Sequence, residues 1–221
     1  MRVGVVQFPG TNCELDVMRV VEGLGGDGEI LFHSDPSIGA VDAVIVPGGF
    51  AHGDYLRAGA IARFSPIMDA VGEYARSGGS VVGICNGFQV LCEAGLLPGA
   101  LQKNAGLKFL CRTVEIRVET TSTVLTNQAA VGQILRVPIN HFEGNYVCDD
   151  RTLDVLRTEE RIVVRYVANP NGSLDDIAGV CNEARNVVGL MPHPERASDP
   201  LLGSDDGLVL LRSLFASVVP A

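Results

Sequence analysis

A single cysteine stands between two glycines at the end of an apolar run. Residues 80–91 read SVVGICNGFQVL, in which 81–84 predict a buried strand and 88–94 a helix. Gly83 and Gly87 lie two residues on either side of Cys85. Because glycine permits a sharp strand-to-helix turn, this spacing can expose the central side chain at the edge of a sheet. The pattern Gly-x-Cys-x-Gly therefore predicts a nucleophile elbow that carries a thiol.

A helix that begins at Cys85 would also change the chemistry of the sulfur. Its free N–H groups and the positive end of its dipole would favour thiolate over thiol. The same N–H groups could hold an oxyanion that forms during attack on a carbonyl carbon. The alternative is a buried structural cysteine at a strand-to-helix turn, and these five residues do not decide between the two interpretations.

A thiolate nucleophile needs a base, and histidine is the usual one near neutral pH. His193 and Glu195 follow a predicted strand, and residues two apart on an extended chain point the same way, so the carboxylate can orient the ring. His141 and Glu143 have the same spacing. From the residues alone, both pairs remain candidates.

The surrounding elements predict an α/β fold with an open, mostly parallel sheet. Strands are expected at 2–8, 29–33, 43–46, 81–84 and 187–191. Helices are expected at 11–24 (opened by a capping box of Thr11 and Glu14), 61–75 and 204–217 (capped by Ser204). Beyond residue 99 the periodicity changes, and 112–119, 133–139, 162–166 and 177–181, with a short helix near 150–156, predict an antiparallel addition within the same domain.

The turn Pro47-Gly48-Gly49-Phe50 follows the strand at 43–46. Ligands bind at the carboxyl ends of strands in open α/β sheets, and a free backbone N–H from this turn could complete an oxyanion hole. The alternative is a turn with no further role. Residues 51–62 are predicted to form a loop over the site.

Composition excludes several classes of function. The chain has 221 residues and a net charge of −9, which predicts one domain and argues against a basic nucleic-acid-binding surface. No window approaches the ~20 apolar residues of a membrane span, and no signal peptide or phosphate-binding glycine motif is recognised. The six cysteines form no Cys-x-x-Cys pair, so neither a disulfide framework nor a metal site is expected. A cytoplasmic protein is predicted.

The elbow, combined with Pro192-His193-Pro194-Glu195, resembles the class I glutamine amidotransferases, whose Cys-His-Glu triad hydrolyses the side-chain amide of glutamine. Further segments extend the resemblance over essentially the whole chain to the glutaminase subunits of phosphoribosylformylglycinamidine synthase. These segments are FPGTNCE at 8–14, PGGF at 47–50, GDYLRAG at 53–59, NAGLKF at 104–109, 169–176 and GLMPHPERA at 189–197.

This resemblance implies a three-layer, flavodoxin-like fold in which Cys85 is the nucleophile, His193 the general base and acid, and Glu195 its orienting carboxylate. It also implies an oxyanion hole from the backbone N–H groups of Gly49 and Asn86. Substrate contacts are implied for Gln89, His141 and Glu143. The chain departs from the usual family pattern at 51–52, with Ala-His in place of Ser-Tyr, and at 140–143, with Asn-His-Phe-Glu in place of Ala-His-Gly-Glu.

The resemblance implies L-glutamine as substrate, a large synthetase subunit that uses ATP and Mg²⁺, and a small accessory subunit. Ammonia would pass internally to formylglycinamide ribonucleotide in purine biosynthesis, and this chain itself would need no cofactor. Three alternatives stay open at the sequence level: the glutaminase subunit of another amidotransferase, a stand-alone thiol hydrolase, and a redox-sensing α/β protein.

Overall fold

The computed structural model describes residues 1–218 as strands packed against five α-helices. The strands are β1 (Arg2–Gln7), β2 (Asp27–Phe32), β3 (Ala43–Val46), β4 (Ser80–Ile84), β5 (Ala100–Gln102), β6 (Leu110–Val118), β7 (Ile134–His141), β8 (Asn145–Val147), β9 (Ile162–Tyr166), β10 (Ile177–Cys181) and β11 (Val187–Leu190). The helices are α1 (Glu14–Gly23), α2 (Pro66–Arg76), α3 (Asn86–Glu93), α4 (Asp150–Thr158) and α5 (Gly207–Val218). Within this part of the chain, no helix is long and apolar enough to cross a membrane.

Nine strands form one mixed sheet in the order β2-β1-β3-β4-β11-β10-β9-β6-β7. Pairing is parallel from β2 to β11 and antiparallel from β11 to β7. The strands β3, β4 and β11 are buried along their whole length, as expected for parallel strands covered on both faces. The predicted α/β class, with its mostly parallel sheet and antiparallel addition, is confirmed.

Three neighbouring parallel strands end at the same edge of the sheet. Val46 at the end of β3 pairs with Gly83 of β4, and Leu190 at the end of β11 pairs with Ile84. The glycine turn, the elbow and the His-x-Glu segment therefore leave the sheet side by side. This register brings together residues that lie more than a hundred positions apart in the sequence.

The helices cover both faces of the sheet. Ile45 contacts a small apolar cavity lined by residues of α1 and α5, whereas its neighbour Val46 faces Gly87 of α3. Because successive residues of a strand point to opposite faces, α1 and α5 lie on one side and α3 on the other. The three-layer prediction is thus confirmed around the central strands.

Two helix starts differ from the sequence prediction. The predicted capping box of Thr11 and Glu14 is wrong. The hydroxyl of Thr11 accepts a hydrogen bond from the N–H of Phe8, and α1 begins only at Glu14. The start of α2 at residue 61 is also wrong. Ser65 precedes a proline and is extended, which restricts the helix to a start at Pro66.

Other boundaries were also displaced or missed. The last helix begins at Gly207, because the hydroxyl of Ser204 accepts from the N–H of Asp206 before the helix. The short pair β5–β8 was not predicted, since three-residue strands carry too little periodicity. Pro138 lies within β7, the edge strand, where a missing N–H is tolerated.

Candidate active site

Close packing of glycines fixes the backbone of the elbow. A Cβ at Gly87 would lie 1.8 Å from the carbonyl oxygen of Val46, and one at Gly83 would lie 2.7 Å from the carbonyl carbon of Gly87. Helix α3 therefore sits directly on β3 and β4. Cys85 has φ of 52° and ψ of −106°, a strained conformation for a residue with a side chain. The predicted elbow geometry is present.

The thiol of Cys85 borders a cavity of about 190 Å³. Its Sγ lies 3.7 Å from the carbonyl oxygen of Asn140, at the end of β7. The antiparallel part of the sheet thus forms one wall of the site. The cavity is lined by Gly49, Phe50, Asp54, Cys85, Gln89, Asn140, His141, Phe142 and Glu143.

His193 and Glu195 form a buried pair. The Nδ1 atom of His193 lies 2.6 Å from Oε1 of Glu195, and the two residues are 1% and 2% exposed. The backbone N–H of His193 donates to the carbonyl of Pro138, which fixes the segment against β7. The second ring nitrogen, Nε2, is buried and makes no hydrogen bond to the described residues.

The charges around His193 favour the imidazolium ion. Burial lowers the pKa of His193, but the charges of Glu195 and Cys85 more than offset it and raise the pKa well above its usual value. A negative thiolate beside a positive imidazolium stabilises both ions. The arrangement can therefore hold Cys85 as a nucleophile and return a proton to a leaving group.

His141 and Glu143 do not form a second pair. Nδ1 of His141 lies 3.1 Å from Oδ1 of Asn104, which also accepts from the N–H of Gly144, so Nδ1 carries the proton. Burial, aided by the charge of His193, lowers the pKa of His141 to about 4. Glu143 instead accepts from the N–H of Ala58. His141 is thus neutral near pH 7, and its Nε2 accepts no hydrogen bond from the part of the chain that the structure describes.

Two backbone N–H groups, one at the elbow and one in the turn after β3, have no acceptor among residues 1–218. Gly49 forms an isolated antiparallel β-bridge with Thr11. The two hydrogen bonds of this bridge are donated by the N–H of Asn12 to Gly48 and by the N–H of Phe50 to Gly10, so the N–H of Gly49 takes no part in them. Asn86 is the first residue of α3, where an N–H has no partner within the helix. Gly49 has φ of +154°, and a Cβ there would lie 2.7 Å from Thr11 Cα. Only glycine fits this turn.

A chain of side-chain amides connects the elbow to both walls of the cavity. Nδ2 of Asn86 donates to Oδ1 of Asp54 at 3.0 Å and to Oε1 of Gln89 at 2.9 Å. Nε2 of Gln89 donates to the carbonyl of Glu143 at 2.5 Å. The Asn86 oxygen accepts from the N–H of Ala51. Gln89, predicted as a substrate contact, lines the cavity and ties its two walls together.

Cys13 was not predicted and lies behind His193. Its sulfur is 4.0 Å from Nδ1 of His193 and accepts a hydrogen bond from the Arg196 guanidinium at 3.2 Å. Cys13, His193 and Glu195 place one ligand atom each within 4.8 Å of one another, as a metal site would require. The guanidinium charge at the sulfur and the bond between His193 and Glu195 oppose a cation there. No sequence spacing signals this contact.

The structure brings Cys85, His193, Gly49 and Asn86 to one edge of the sheet and places Glu195 directly behind His193. Gln89, His141 and Glu143 lie in the wall of the adjoining cavity. Asp54 lies there too, in the segment at 53–59 that resembles the family and in the loop predicted over the site, although the sequence assigned it no role. Asn104, which sets the proton on His141, belongs to a segment noted only for its resemblance to the family.

Comparisons with known proteins agree with this architecture. A sequence profile of the CobB/CobQ-like glutamine amidotransferase domain matches residues 1–205. The chain is 59% identical to phosphoribosylformylglycinamidine synthase subunit PurQ of Rubrobacter xylanophilus over 216 residues, which covers 98% of each chain.

Solved structures give the same result. A chain in the structure of PurLQS from Thermotoga maritima superposes with a TM-score of 0.91 at 41% identity, covering 99% of each chain. A glutamine amidotransferase from the same organism has a TM-score of 0.64 at 16% identity, covering 100% of this chain and 99% of the other. The latter likeness supports the fold alone.

Proposed function

The chain belongs to the PurQ family, the glutaminase subunits of phosphoribosylformylglycinamidine synthase in purine biosynthesis, and we propose that Cys85, His193 and Glu195 perform its reaction. The observation that carries this assignment is the buried His193–Glu195 pair, 2.6 Å apart, beside a thiol on a strained elbow. Cys85 is the nucleophile, His193 the general base and acid, and Glu195 its orienting carboxylate.

The reaction proceeds through a thioester. Sγ of Cys85 attacks the side-chain carboxamide of L-glutamine, and the carbonyl oxygen becomes an oxyanion. His193 gives its proton to the departing nitrogen, so that ammonia leaves as the thioester forms. Water, deprotonated by His193, then attacks the thioester and releases glutamate and the free thiolate. Glu195 holds the ring in the orientation that both steps need.

The N–H groups of Gly49 and Asn86 hold the oxyanion. Both are free of other acceptors in the described fold and lie at the end of β3 and the start of α3. The dipole of α3 adds to their effect, because its positive end lies at Asn86. A donor of this kind typically accounts for about a hundredfold in rate.

The partners follow from the family. Ammonia produced at Cys85 passes to a large synthetase subunit, PurL, which together with a small subunit, PurS, completes the assembly named for the Thermotoga structure. ATP and Mg²⁺ belong to the large subunit, and this chain uses no cofactor of its own. The chain acts as one domain in the cytoplasm, where purine synthesis takes place.

A stand-alone thiol hydrolase is the nearest alternative, because the same triad would serve other amides. A redox-sensing protein is a more distant one. It requires neither the raised pKa of His193 nor the carboxylate of Glu195 behind the ring. The two alternatives differ from the proposal in their dependence on partners and on His193.

The test measures glutamate release by the chain alone and with its large and small subunits, and labelling by the glutamine mimic diazo-oxo-norleucine. We expect Cys85→Ser to abolish both, His193→Ala to prevent labelling, and the partners to raise turnover. Cys111→Ser, at an exposed cysteine that does not line the cavity, is the matched control and should behave as wild type. Labelling that persists in His193→Ala, or equal turnover with and without the large and small subunits, would contradict the proposal.

A further inference from the structure

The residue just before α1 is a cysteine that does not cap the helix. Serine, threonine, aspartate and asparagine are preferred at this position, because their side-chain oxygens accept from N–H groups of the first turn. Cys13 is 2% exposed there and makes no capping hydrogen bond within residues 1–218. The start of α1 therefore does not account for its side chain, whose contacts lie on the opposite side, at the triad.

The sulfur of Cys13 contacts the same ring nitrogen as Glu195. Nδ1 of His193 lies 2.6 Å from Oε1 of Glu195 and 4.0 Å from Sγ of Cys13, a long distance for a hydrogen bond to sulfur. A Cβ at Gly48 would lie 2.7 Å from Cε1 of His193 and 3.0 Å from this Sγ. The N–H of Cys13 also donates to the carbonyl of Gly48. The glycine turn after β3 thus leaves the room in which the sulfur reaches the ring.

Arg196 holds the sulfur from a second direction. Its guanidinium donates to Sγ of Cys13 at 3.2 Å, and its Nε donates to Oδ2 of Asp16, in the first turn of α1, also at 3.2 Å. The sulfur therefore contacts both the His193 ring and a guanidinium, two groups that carry positive charge. Sulfur is polarisable and accepts from both. Without this acceptor the charge of Arg196 would be less compensated and would disfavour the imidazolium.

The titratable groups around the ring come from every element packed against it. They are Cys85 at the elbow, the neutral His141 of β7, Cys13 and Asp16 beside α1, Glu195 and Arg196 in its own segment, and Arg19 and Arg212, which line the groove outside the last two. Burial lowers the pKa of His193, whereas the charges of Glu195 and Cys85 and hydrogen bonds to Cys13 and Cys85 raise it well above its usual value. Cys13 thus acts on the ring in the same direction as Glu195.

We propose that Cys13 is a positioning residue that acts through His193, as a second acceptor at Nδ1. The sulfur keeps a proton on that nitrogen and compensates the charge of Arg196. Nε2, which makes no hydrogen bond to the described residues, is then left to exchange protons at Cys85. The inference rests on the proposed function, since it adds a residue to the same reaction.

The experiment follows the alkylation of Cys85 by iodoacetate against pH in the full chain, with the product read on the peptide that contains Cys85. The variants are Cys13→Ala, which removes the acceptor, and Cys13→Ser, which replaces it with a shorter one. Cys181→Ala is the matched control. It removes another fully buried sulfur, which lies in β10 against the carbonyl of Arg161. Thermal unfolding of each variant separates a loss of stability from a change at the ring.

We expect Cys13→Ala to shift the alkaline limit of alkylation to lower pH by about half a unit or more, because the ring loses its proton more readily. Cys13→Ser should shift it in the same direction by less. Since serine is a favourable N-cap residue, it should keep the wild-type Tm and provides the test if the alanine variant fails to fold. In the complex with the large and small subunits, kcat should fall about threefold to tenfold in Cys13→Ala, with KM for glutamine unchanged.

An unchanged alkylation profile in a folded Cys13 variant would overturn the inference and leave Cys13 as a packing residue. An equal shift in Cys181→Ala would overturn it too, because any lost buried sulfur would then have the same effect. The alkylation assay uses no glutamine. A wild-type complex that released no glutamate would therefore refute the proposed function, which is a different result from either of these.

Discussion

The nucleophile elbow and the loop at residues 51–59 border the same cavity, yet they are held in opposite ways. The elbow is fixed by backbone packing, since Gly87 lies against the carbonyl of Val46 and no side chain fits between them. The loop makes one close backbone contact, at Gly59 against Gln89 and Val90 of α3, and is otherwise held by hydrogen bonds, many of them to side chains. Its residues Tyr55 and Leu56 are 73% and 90% exposed, and the Asn86 amide anchors it to α3.

The two ways of holding the chain suit two different requirements of the site. The reacting sulfur must be positioned to a fraction of an ångström, and close packing of buried strands provides that. The wall opposite the sulfur holds no reacting atom and tolerates looser placement, and hydrogen bonds to side chains provide it. Changes at the elbow should therefore affect kcat, and changes at the loop should affect KM for glutamine.

The largest effect is expected for Gly87→Ala. Its new Cβ would lie 1.8 Å from the Val46 carbonyl oxygen, so α3 must move away from β3. We expect a loss of about 3 kcal/mol or more in stability, a fall in Tm of about 6 °C or more, and glutaminase activity below detection.

The matched control is Gly23→Ala, at an exposed position in α1 where a Cβ meets nothing within 4 Å. Thermal unfolding and glutamate release measure both variants. Alanine is the better helix former, so the control should keep full activity with equal or slightly higher Tm. A fully active Gly87→Ala protein would contradict the view that packing positions the sulfur.

A smaller effect is expected for Glu195→Gln, which keeps the shape of the triad but removes its charge. We expect kcat to fall about a hundredfold. Because Glu195 raises the pKa of His193, the ring should lose its proton at lower pH in the variant. The alkaline limit of the thiolate–imidazolium pair should shift to lower pH accordingly.

The rate of alkylation of Cys85 by the anion iodoacetate, which the imidazolium attracts, followed against pH, measures this shift. Glu143→Gln tests the alternative pair and should leave the alkylation profile unchanged, because Glu143 bonds to Ala58 and not to His141. If Glu143→Gln moved the profile and Glu195→Gln did not, the roles assigned to the two carboxylates would be reversed.

The smallest expected effect is a change of KM with pH that comes from Asp54 in the loop at residues 51–59. Asp54, which faces Glu143, the Asn86 amide and the Gly59 backbone, has a pKa raised to about 6. As pH rises through that value this carboxylate in the cavity wall becomes charged and attracts the positive α-ammonium group of glutamine, so we expect KM for glutamine to fall by up to about tenfold between pH 5 and pH 7. Steady-state kinetics on wild type and Asp54→Asn measure it. An identical pH dependence in the variant would assign the titration to another group.

The elbow and the His-x-Glu segment could be predicted from the sequence because their signals are local. The glycines two residues from Cys85 predict a sharp turn, and the carboxylate two residues from His193 predicts a side chain that can orient the ring. The local sequence could not decide between His193 and His141, because both have a glutamate two residues on. The choice depended on Asn104, which holds the proton of His141 from a segment outside the sheet.

Other features lay beyond sequence reasoning for the same reason. The contact between Cys13 and His193 depends on how separate segments meet at the sheet edge. Residues 51–62 were predicted to lie over the site, but the hydrogen bond that holds Asp54 to Asn86 also depends on that meeting. Helix starts were misplaced where a hydroxyl or a proline favoured another local bond, as at Thr11 and Pro66. Strand existence was predicted well wherever apolar runs are buried on both faces.

The pairing of β11 with β4 has a consequence for the synthesis of the protein. Cys85 leaves the ribosome long before His193, and at about 5–20 residues per second the delay between them is roughly 5–20 s. During that interval the nascent chain carries a nucleophile without its base. The cysteine and the histidine can therefore meet only after β11, the last strand of the parallel set, has inserted between β4 and β10.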